Sequence, residues 1–264
     1  MPAARDPTAL TPDSIRGHWL REVWASSIGK KIVVAITGLI LALYIVVHAA
    51  ANLKVFQGVG EGSGGPAIDR YAEWLRTVGE PGIPREGILW AVRVILILAL
   101  VLHVTGVIQL YRRNRAARPP EGRSVARIQR SLAARTMLVT GLLLLAFVVF
   151  HVLQFTTRTI DVTPLHEGTV YLNLYEAFQE WYVVLIYVAA VIGLGFHLWH
   201  AIWSAAQTWG ADKPNRNPTI RRFAAGTAIV VTVGFAAVPI CFWTDVLPEP
   251  GGAELAAAGD AEAR

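Results

Sequence analysis

Cysteine and charged side chains are scarce in this chain of 264 residues. Its single cysteine, Cys241, excludes an intrachain disulfide framework, a paired-cysteine zinc or iron–sulfur site and a CxxCH attachment for a covalently bound cofactor. Charged residues make up 16% of the chain and hydrophobic residues 54%, whereas a soluble domain has roughly 25% charged residues. These proportions exclude an ordinary soluble enzyme, a disordered protein and a coiled coil, and they predict an integral membrane protein.

Five apolar stretches are each long enough to cross a bilayer as a helix, which takes roughly 20 residues. They span residues 28–51, 87–111, 132–156, 181–207 and 220–242. The sequence therefore predicts an all-α protein with a five-helix transmembrane domain over 28–243, preceded by a segment over 1–27 and followed by a disordered tail over 244–264. An amphipathic run over 67–76 predicts a short interfacial helix. No internal repeat is apparent.

The basic residues indicate how the helices are oriented. Counting the residues at the edges of the stretches, there are 5 Lys and Arg residues before the first stretch, 8 between the second and third, and 4 between the fourth and fifth. The acid-rich connections hold the other 4 and 1. Because Lys and Arg concentrate on the cytoplasmic side of a membrane, we expect the N-terminus to be cytoplasmic and the C-terminus outside. The same residues account for the net charge of +5, so no nucleic-acid partner is expected.

Histidines lie inside four of the predicted spans. They are His48, His103, His151 and His197, and His200 adds a second one to the fourth span. With a helical rise of about 1.5 Å per residue, His48 and His151 share a depth toward the outer face, whereas His103 and His197 share one toward the cytoplasmic face. Two imidazole pairs at two depths of a four-helix core are what two stacked bis-histidine b haems require. A hydrogen-bonding role between packed helices stays open.

Haem propionates are anionic and need cationic partners. Arg93 is the one arginine well inside a predicted span, at the depth of His48 and His151. We expect it to meet the propionates of that haem, although its long side chain can also extend to the outer interface. The candidates for the inner haem lie at the cytoplasmic edge and are Lys30, Lys31, Arg130 and Arg135.

Three local strings resemble the five-span diheme cytochrome b membrane anchor of bacterial succinate:quinone oxidoreductases. They are residues 26–52, which include Ser26-Ser-Ile-Gly-Lys-Lys and His48-Ala-Ala-Ala-Asn52, residues 71–81, and residues 195–210, which include Gly195-Phe-His-Leu-Trp-His200. The resemblance extends over residues 24–242.

The resemblance implies a subunit of the bacterial cytoplasmic membrane, embedded in the lipid bilayer, rather than a complete enzyme. The flavoprotein and iron–sulfur subunits of succinate dehydrogenase would dock on its cytoplasmic face, and electrons would pass through two b haems to menaquinone or ubiquinone. A higher oligomer of the complex is compatible with this interpretation.

Residue roles also follow from the resemblance. It implies that His103 and His197 hold the inner haem and that His48 and His151 hold the outer one. His200 departs from the pattern of the family. It could replace His197 as a ligand, or it could bond to a propionate or quinone.

The resemblance further implies quinone-site residues. Ser27 and Lys31 match a cytoplasm-side quinone site, although Ser27 also suits a helix N-cap. Glu73 is the candidate carboxylate for proton transfer to an outer quinone. Its rivals are Glu80, Glu86, Asp161 and Glu180.

Two other functions stay open. The chain can be the cytochrome b subunit of another quinone-linked oxidoreductase, such as a hydrogenase or formate dehydrogenase, and a flavin-containing partner would separate the two. A haem-free transporter is the second alternative, but the chain shows neither the interrupted helices nor the repeat symmetry common in transporters.

Overall fold

A computed structural model describes residues 21–58, 65–117, 132–160, 162–211 and 218–251, with the backbone alone for 132–135. Within these residues the chain is helical and contains no β-strand. The helices are α1 (Ser27–Asn52), α2 (Ala67–Thr77), α3 (Gly87–Ala116), α4 (Leu132–His151), α5 (Val170–Gln179), α6 (Trp181–Thr208) and α7 (Pro218–Trp243). Five of them, all but α2 and α5, contain a segment long and apolar enough to cross a membrane, as predicted.

Residues at the helix ends explain where the long helices begin and stop. The Ser26 side chain caps α1 by accepting a hydrogen bond from the Gly29 N–H at 2.8 Å. At the other end, the Asn52 side chain donates to the His48 carbonyl. Helix α6 ends at Thr208, and Gly210 follows it with a φ of +71°, which allows the N–H groups of Gly210 and Ala211 to bond back to the Gln207 and Ala206 carbonyls.

Two helix boundaries differ from the prediction, and one helix was not predicted. Helix α3 continues to Ala116, past residue 111, because the added residues include arginines that favour helix. The third span becomes a π-helical turn, Val152–Thr156, directly after His151. Helix α5 was not predicted, because the sequence pattern of its ten residues does not stand out within the connection.

Helix α6 lies at the centre of the bundle. In its most apolar segment 44% of residues are buried, against 6% in α4. Helix α6 packs against α4 and α7, and α1 packs against α3. Large apolar side chains on the outside of the spans are exposed, as a lipid-facing surface requires; they include Leu43, Val139, Leu185 and Val230.

The two ends of the bundle differ. At one end the 3₁₀ turn Leu53–Gln57, α2, α5 and residues 244–251 form a cap with an apolar core that includes Val55, Ile68, Phe178 and Phe242. We call this the cap end. The opposite end, which we call the basic end, exposes Arg112, Arg115, Arg221 and Arg222.

Candidate functional site

The bundle brings the four histidines of the spans together as two pairs. At the cap end, the rings of His48 and His151 have centres 6.0 Å apart and planes inclined by 75°. Toward the basic end, His197 lies near enough to His103 for the two rings to interact electrostatically. These are the pairs that the depths in the sequence predict. We call them the cap-side pair and the basic-side pair.

Aromatic rings surround the cap-side pair. Tyr44 stacks on His48 with ring centres 5.3 Å apart, and Phe147 stacks on His151 at 5.8 Å. Phe235 of α7 contacts His48 at 5.7 Å. These rings keep water away from the imidazoles and leave them in an apolar setting.

A short hydrogen-bonded chain holds His151. Its Nδ1 lies 3.0 Å from the hydroxyl of Tyr187, and that hydroxyl donates to Oε1 of Gln154 at 3.0 Å. Gln154 lies in the π-helical turn and is only 2% exposed, and its Nε2 has no hydrogen-bond partner within the described residues. Such π-helical turns often occur at functional sites.

A threonine and a glycine of α1 contact His103 of the basic-side pair. Its Nδ1 lies 3.1 Å from the Val34 carbonyl and 3.3 Å from the Thr37 hydroxyl. Gly38 makes room for the ring, because a Cβ at this position would lie 3.0 Å from His103 Cε1.

The other member of the basic-side pair has the same kind of neighbours. Nδ1 of His197 lies 3.3 Å from the hydroxyl of Thr140 on α4. A Cβ on Gly141 would lie 3.5 Å from His197 Cε1. A Thr-Gly pair therefore faces each histidine of the basic-side pair.

These contacts reveal a short repeat that the sequence interpretation missed. Residues 37–48 read TGLILALYIVVH and residues 140–151 read TGLLLLAFVVFH, with six of twelve positions identical. Each copy begins with the Thr-Gly pair that contacts the basic-side pair and ends, 11 residues later, with a histidine of the cap-side pair. Because 11 residues of helix rise about 16 Å, each copy contacts the basic-side pair at its start and contributes a histidine to the cap-side pair at its end.

The cap-side pair fits a metal ion held between two imidazoles. Since a metal–imidazole bond is about 2 Å long, two imidazoles on opposite sides of one ion have ring centres about 6 Å apart. No group of three or more histidine, cysteine or carboxylate ligands occurs among the described residues. Each level thus offers two imidazoles, which are the donors that a bis-histidine haem uses, whereas a structural zinc site uses four ligands.

Comparison with known proteins adds no assignment to this geometry. No family model, curated protein or solved structure matches the chain. Any assignment therefore depends on the site and on the local strings described above.

His200 lies beside the basic-side pair but makes different contacts. Its Nδ1 is buried without a hydrogen-bond partner in the described part of the chain, and its ring meets Trp203 edge-on at 5.9 Å. His197, in contrast, has both the Thr140 hydroxyl and a neighbouring His103. These contacts favour His197 over His200 as the partner of His103.

Arg93 lies on the cap side of the bundle. Its guanidinium stacks over the Trp90 ring at 4.8 Å and interacts electrostatically with Tyr44, the residue that stacks on His48. The depth predicted for Arg93 therefore agrees with its position near the cap-side pair.

Glu73 is held by ion pairs at the surface of the cap. Its carboxylate lies 2.8 Å from Arg85 and 3.7 Å from Arg76, and its side chain is 41% exposed. Of its rivals, Glu86 pairs with Arg76 at 3.6 Å, and Asp161 lies outside the described residues.

Asp69 is a buried carboxylate of the cap that the sequence did not single out. It accepts a hydrogen bond from the Tyr171 N–H at 2.9 Å, at the start of α5. Burial raises the pKa of Asp69 to about 6, and hydrogen bonds from the Tyr171 and Val170 N–H groups act in the opposite direction. What distinguishes Asp69 from the other carboxylates of the cap is its position opposite the start of α5, and the sequence pattern does not show that position.

The residues predicted at the basic end have separate roles. Ser26, and not Ser27, caps α1, and the Ser27 hydroxyl lies 3.5 Å from the guanidinium of Arg113. Lys31 is exposed. Lys30 is buried, donates to the Trp24 carbonyl and lies over the Trp24 ring. Arg130 and the side chain of Arg135 lie outside the described residues.

Proposed function

We propose that this chain is the diheme cytochrome b membrane anchor of a bacterial succinate:quinone oxidoreductase. It would receive electrons from an iron–sulfur subunit and pass them to menaquinone or ubiquinone. The observation that carries the proposal is the gathering of four histidines into two pairs, at two levels of one bundle built from α1, α3, α4 and α6.

The exposed arginines support an orientation with the basic end in the cytoplasm and the cap outside. Lys and Arg near the ends of spans face the cytoplasm, and Arg112, Arg115, Arg221 and Arg222 are exposed at the basic end. This surface also suits the docking of the iron–sulfur and flavoprotein subunits. The N-terminus would then be cytoplasmic and the C-terminus outside.

A b haem in each pair would supply reversible one-electron chemistry at its iron. The chain's own residues would hold and shield it. His48 and His151 would bind at the cap side, and His103 and His197 at the basic side. Phe147 and the other aromatic rings exclude water from the cap-side pair, while Arg93 provides a cation for an anionic substituent.

A quinone site at the basic end has hydrogen-bond donors available. The Ser27 hydroxyl and the Arg113 guanidinium lie together at the start of α1, and Lys31 is exposed one turn away. Quinone reduction also needs protons, and at the cap the Glu73 carboxylate would supply them to an outer site. The membrane potential would assist electron transfer toward that side by about 2.3 kcal/mol per charge per 100 mV.

Haem analysis of the purified complex tests this proposal. We expect two b haems per chain in a pyridine haemochrome assay, the loss of one in His103→Ala, and the loss of the other in His48→Ala. His166→Ala is the matched control, because His166 is exposed and pairs with Glu176 of α5, away from both histidine pairs; it should keep both haems.

The reductant and the co-purified subunits distinguish the related alternatives. Reduction of the haems by succinate, with a flavin-containing subunit in the complex, would support the proposal. Reduction by hydrogen or formate instead would favour a hydrogenase or formate dehydrogenase. A wild-type complex without any b-type spectrum would exclude the diheme mechanism.

A further inference from the structure

Three of the four paired histidines have an oxygen atom beside Nδ1, and these oxygens determine which ring nitrogen carries the proton. A neutral imidazole has one N–H donor and one acceptor nitrogen, and a metal binds the acceptor. The partner of Nδ1 therefore decides whether Nε2 is available to a metal ion.

The assignment for His103 follows from a carbonyl. Nδ1 of His103 faces the Val34 carbonyl at 3.1 Å, and a carbonyl oxygen can only accept. The nearby Thr37 hydroxyl has its single hydrogen directed to the Val33 carbonyl at 2.7 Å. Nδ1 of His103 must therefore donate, which leaves the lone pair on Nε2.

The assignment for His197 follows from a hydroxyl that is already donating. Thr140 directs its hydrogen to the Thr136 carbonyl of its own helix at 3.0 Å. It is then an acceptor for Nδ1–H of His197 at 3.3 Å. Nε2 of His197 again keeps the lone pair.

His151 is held in the same tautomer by a different residue. The Tyr187 hydroxyl donates to Oε1 of Gln154 and therefore accepts from Nδ1 of His151. His48 has no comparable ring hydrogen bond within the described residues and stacks on Tyr44 instead. The basic-side pair thus has two anchored imidazoles and the cap-side pair has one.

We propose that Thr37, Thr140 and Tyr187 are positioning residues that fix Nδ1–H on His103, His197 and His151, and so determine the strength of these ligands toward iron. An acceptor at Nδ1–H fixes the ring orientation and makes Nε2 more basic. A more basic ligand stabilises ferric over ferrous iron, so each of these hydroxyls lowers the potential of the haem at its own level. The inference rests on the proposed haem binding.

Redox titration of the intact complex, with the two haems resolved by their spectra, tests the inference. Thr140→Val removes the hydroxyl at nearly constant volume and should raise the potential of the basic-side haem alone. Tyr187→Phe should raise that of the cap-side haem alone. A rise of about 59 mV would correspond to a tenfold change in the ratio of ferric to ferrous binding for a one-electron couple.

Three further variants separate the hydroxyl from its surroundings. Thr140→Ser keeps a hydroxyl and should restore the wild-type potential. Thr37→Val should have a smaller effect than Thr140→Val, because His103 keeps the Val34 carbonyl. Tyr182→Phe is the matched control for Tyr187→Phe, since Tyr182 lies on the same helix and is exposed.

The outcomes distinguish the inference from the proposed function. Full haem content with unchanged potentials in both variants, or equal shifts of both haems in each, would overturn the inference and leave the haem binding intact. Haem loss from Thr140→Ser with full haem content in Thr140→Val would also overturn it, since volume and not the hydroxyl would then matter. A wild-type complex without haem would overturn the proposed function first.

Discussion

Asp69 joins two cap helices through a single side chain. It belongs to α2 and accepts from the first N–H groups of α5, where the helix dipole is positive. Burial nevertheless raises its pKa to about 6, above the value of about 4 expected in an unfolded chain. The folded state therefore binds this proton more tightly than the unfolded state does, and its stability decreases as pH rises from about 4 to about 6.

Replacing Asp69 by asparagine should remove this pH dependence. The side-chain amide in the Asp69→Asn variant would still offer an oxygen to the Tyr171 N–H but would never ionise. The wild-type free energy of unfolding, relative to that of the variant, should decrease between pH 4 and pH 6 by up to about 3 kcal/mol. Thermal unfolding of the detergent-solubilised protein across this range measures the difference.

Asp245→Asn is the matched control, because Asp245 lies at the same end and is exposed. If Asp69→Asn and Asp245→Asn have the same pH profile as the wild type, burial of Asp69 is not the source of the dependence.

At the residue level, histidines were easier to find than their partners. A histidine in an apolar span is conspicuous by its polarity, and its depth follows from the helical rise. Thr37, Thr140 and Tyr187 are common residues in such helices and become notable only when a neighbouring helix places an imidazole beside them. Their signal in the sequence was the repeat of Thr-Gly-Leu and histidine, which needs two aligned spans to be noticed.

The long helices could be predicted at the level of elements because length and apolar composition alone determine them. The pairing of α1 with α3 and of α4 with α6 depends on side-chain shape instead. Among the glycines of the spans, Gly38 and Gly141 face histidines, whereas Gly106 faces Val34 and Gly193 faces Leu143. A glycine in a span therefore indicates close helix packing, and only the neighbouring helix shows whether it belongs to the site.

Gly106 should not tolerate a methyl group. A Cβ there would lie 2.6 Å from Cγ2 of Val34, in the contact between α1 and α3 and one turn from His103. We expect Gly106→Ala to destabilise the protein by about 1–3 kcal/mol through overpacking. A lower midpoint of thermal unfolding, with reduced occupancy of the basic-side haem, would show this.

Gly226→Ala provides the control for this substitution. Gly226 lies within α7, and a Cβ there meets nothing within 4 Å. Alanine should raise stability there by about 0.4–1 kcal/mol, because it restricts the unfolded chain. Equal effects of the two substitutions would show that backbone preference, and not the contact with Val34, determines the result.

At the scale of the whole molecule, we expect the cap end and the basic end to be accessible from opposite sides of the membrane. In a Cys241→Ser background, Glu249→Cys places a thiol at the cap end and Arg115→Cys places one at the basic end, both at exposed positions. In intact right-side-out vesicles, a membrane-impermeant maleimide should label Glu249→Cys and should label Arg115→Cys only after permeabilisation. The reverse pattern would place the cap in the cytoplasm.

The two histidine pairs are completed by different helices, the cap-side pair by α1 and α4 and the basic-side pair by α3 and α6, and this has a consequence for biosynthesis. Chains enter the membrane from the N-terminus onward. The cap-side pair, on α1 and α4, is complete once the third span has been made, and its aromatic neighbour Phe147 is already present. The basic-side pair waits for His197 on α6, the same helix that brings Tyr187 to His151. Translation of α6 is therefore the step at which one site first becomes complete and the other acquires its anchor.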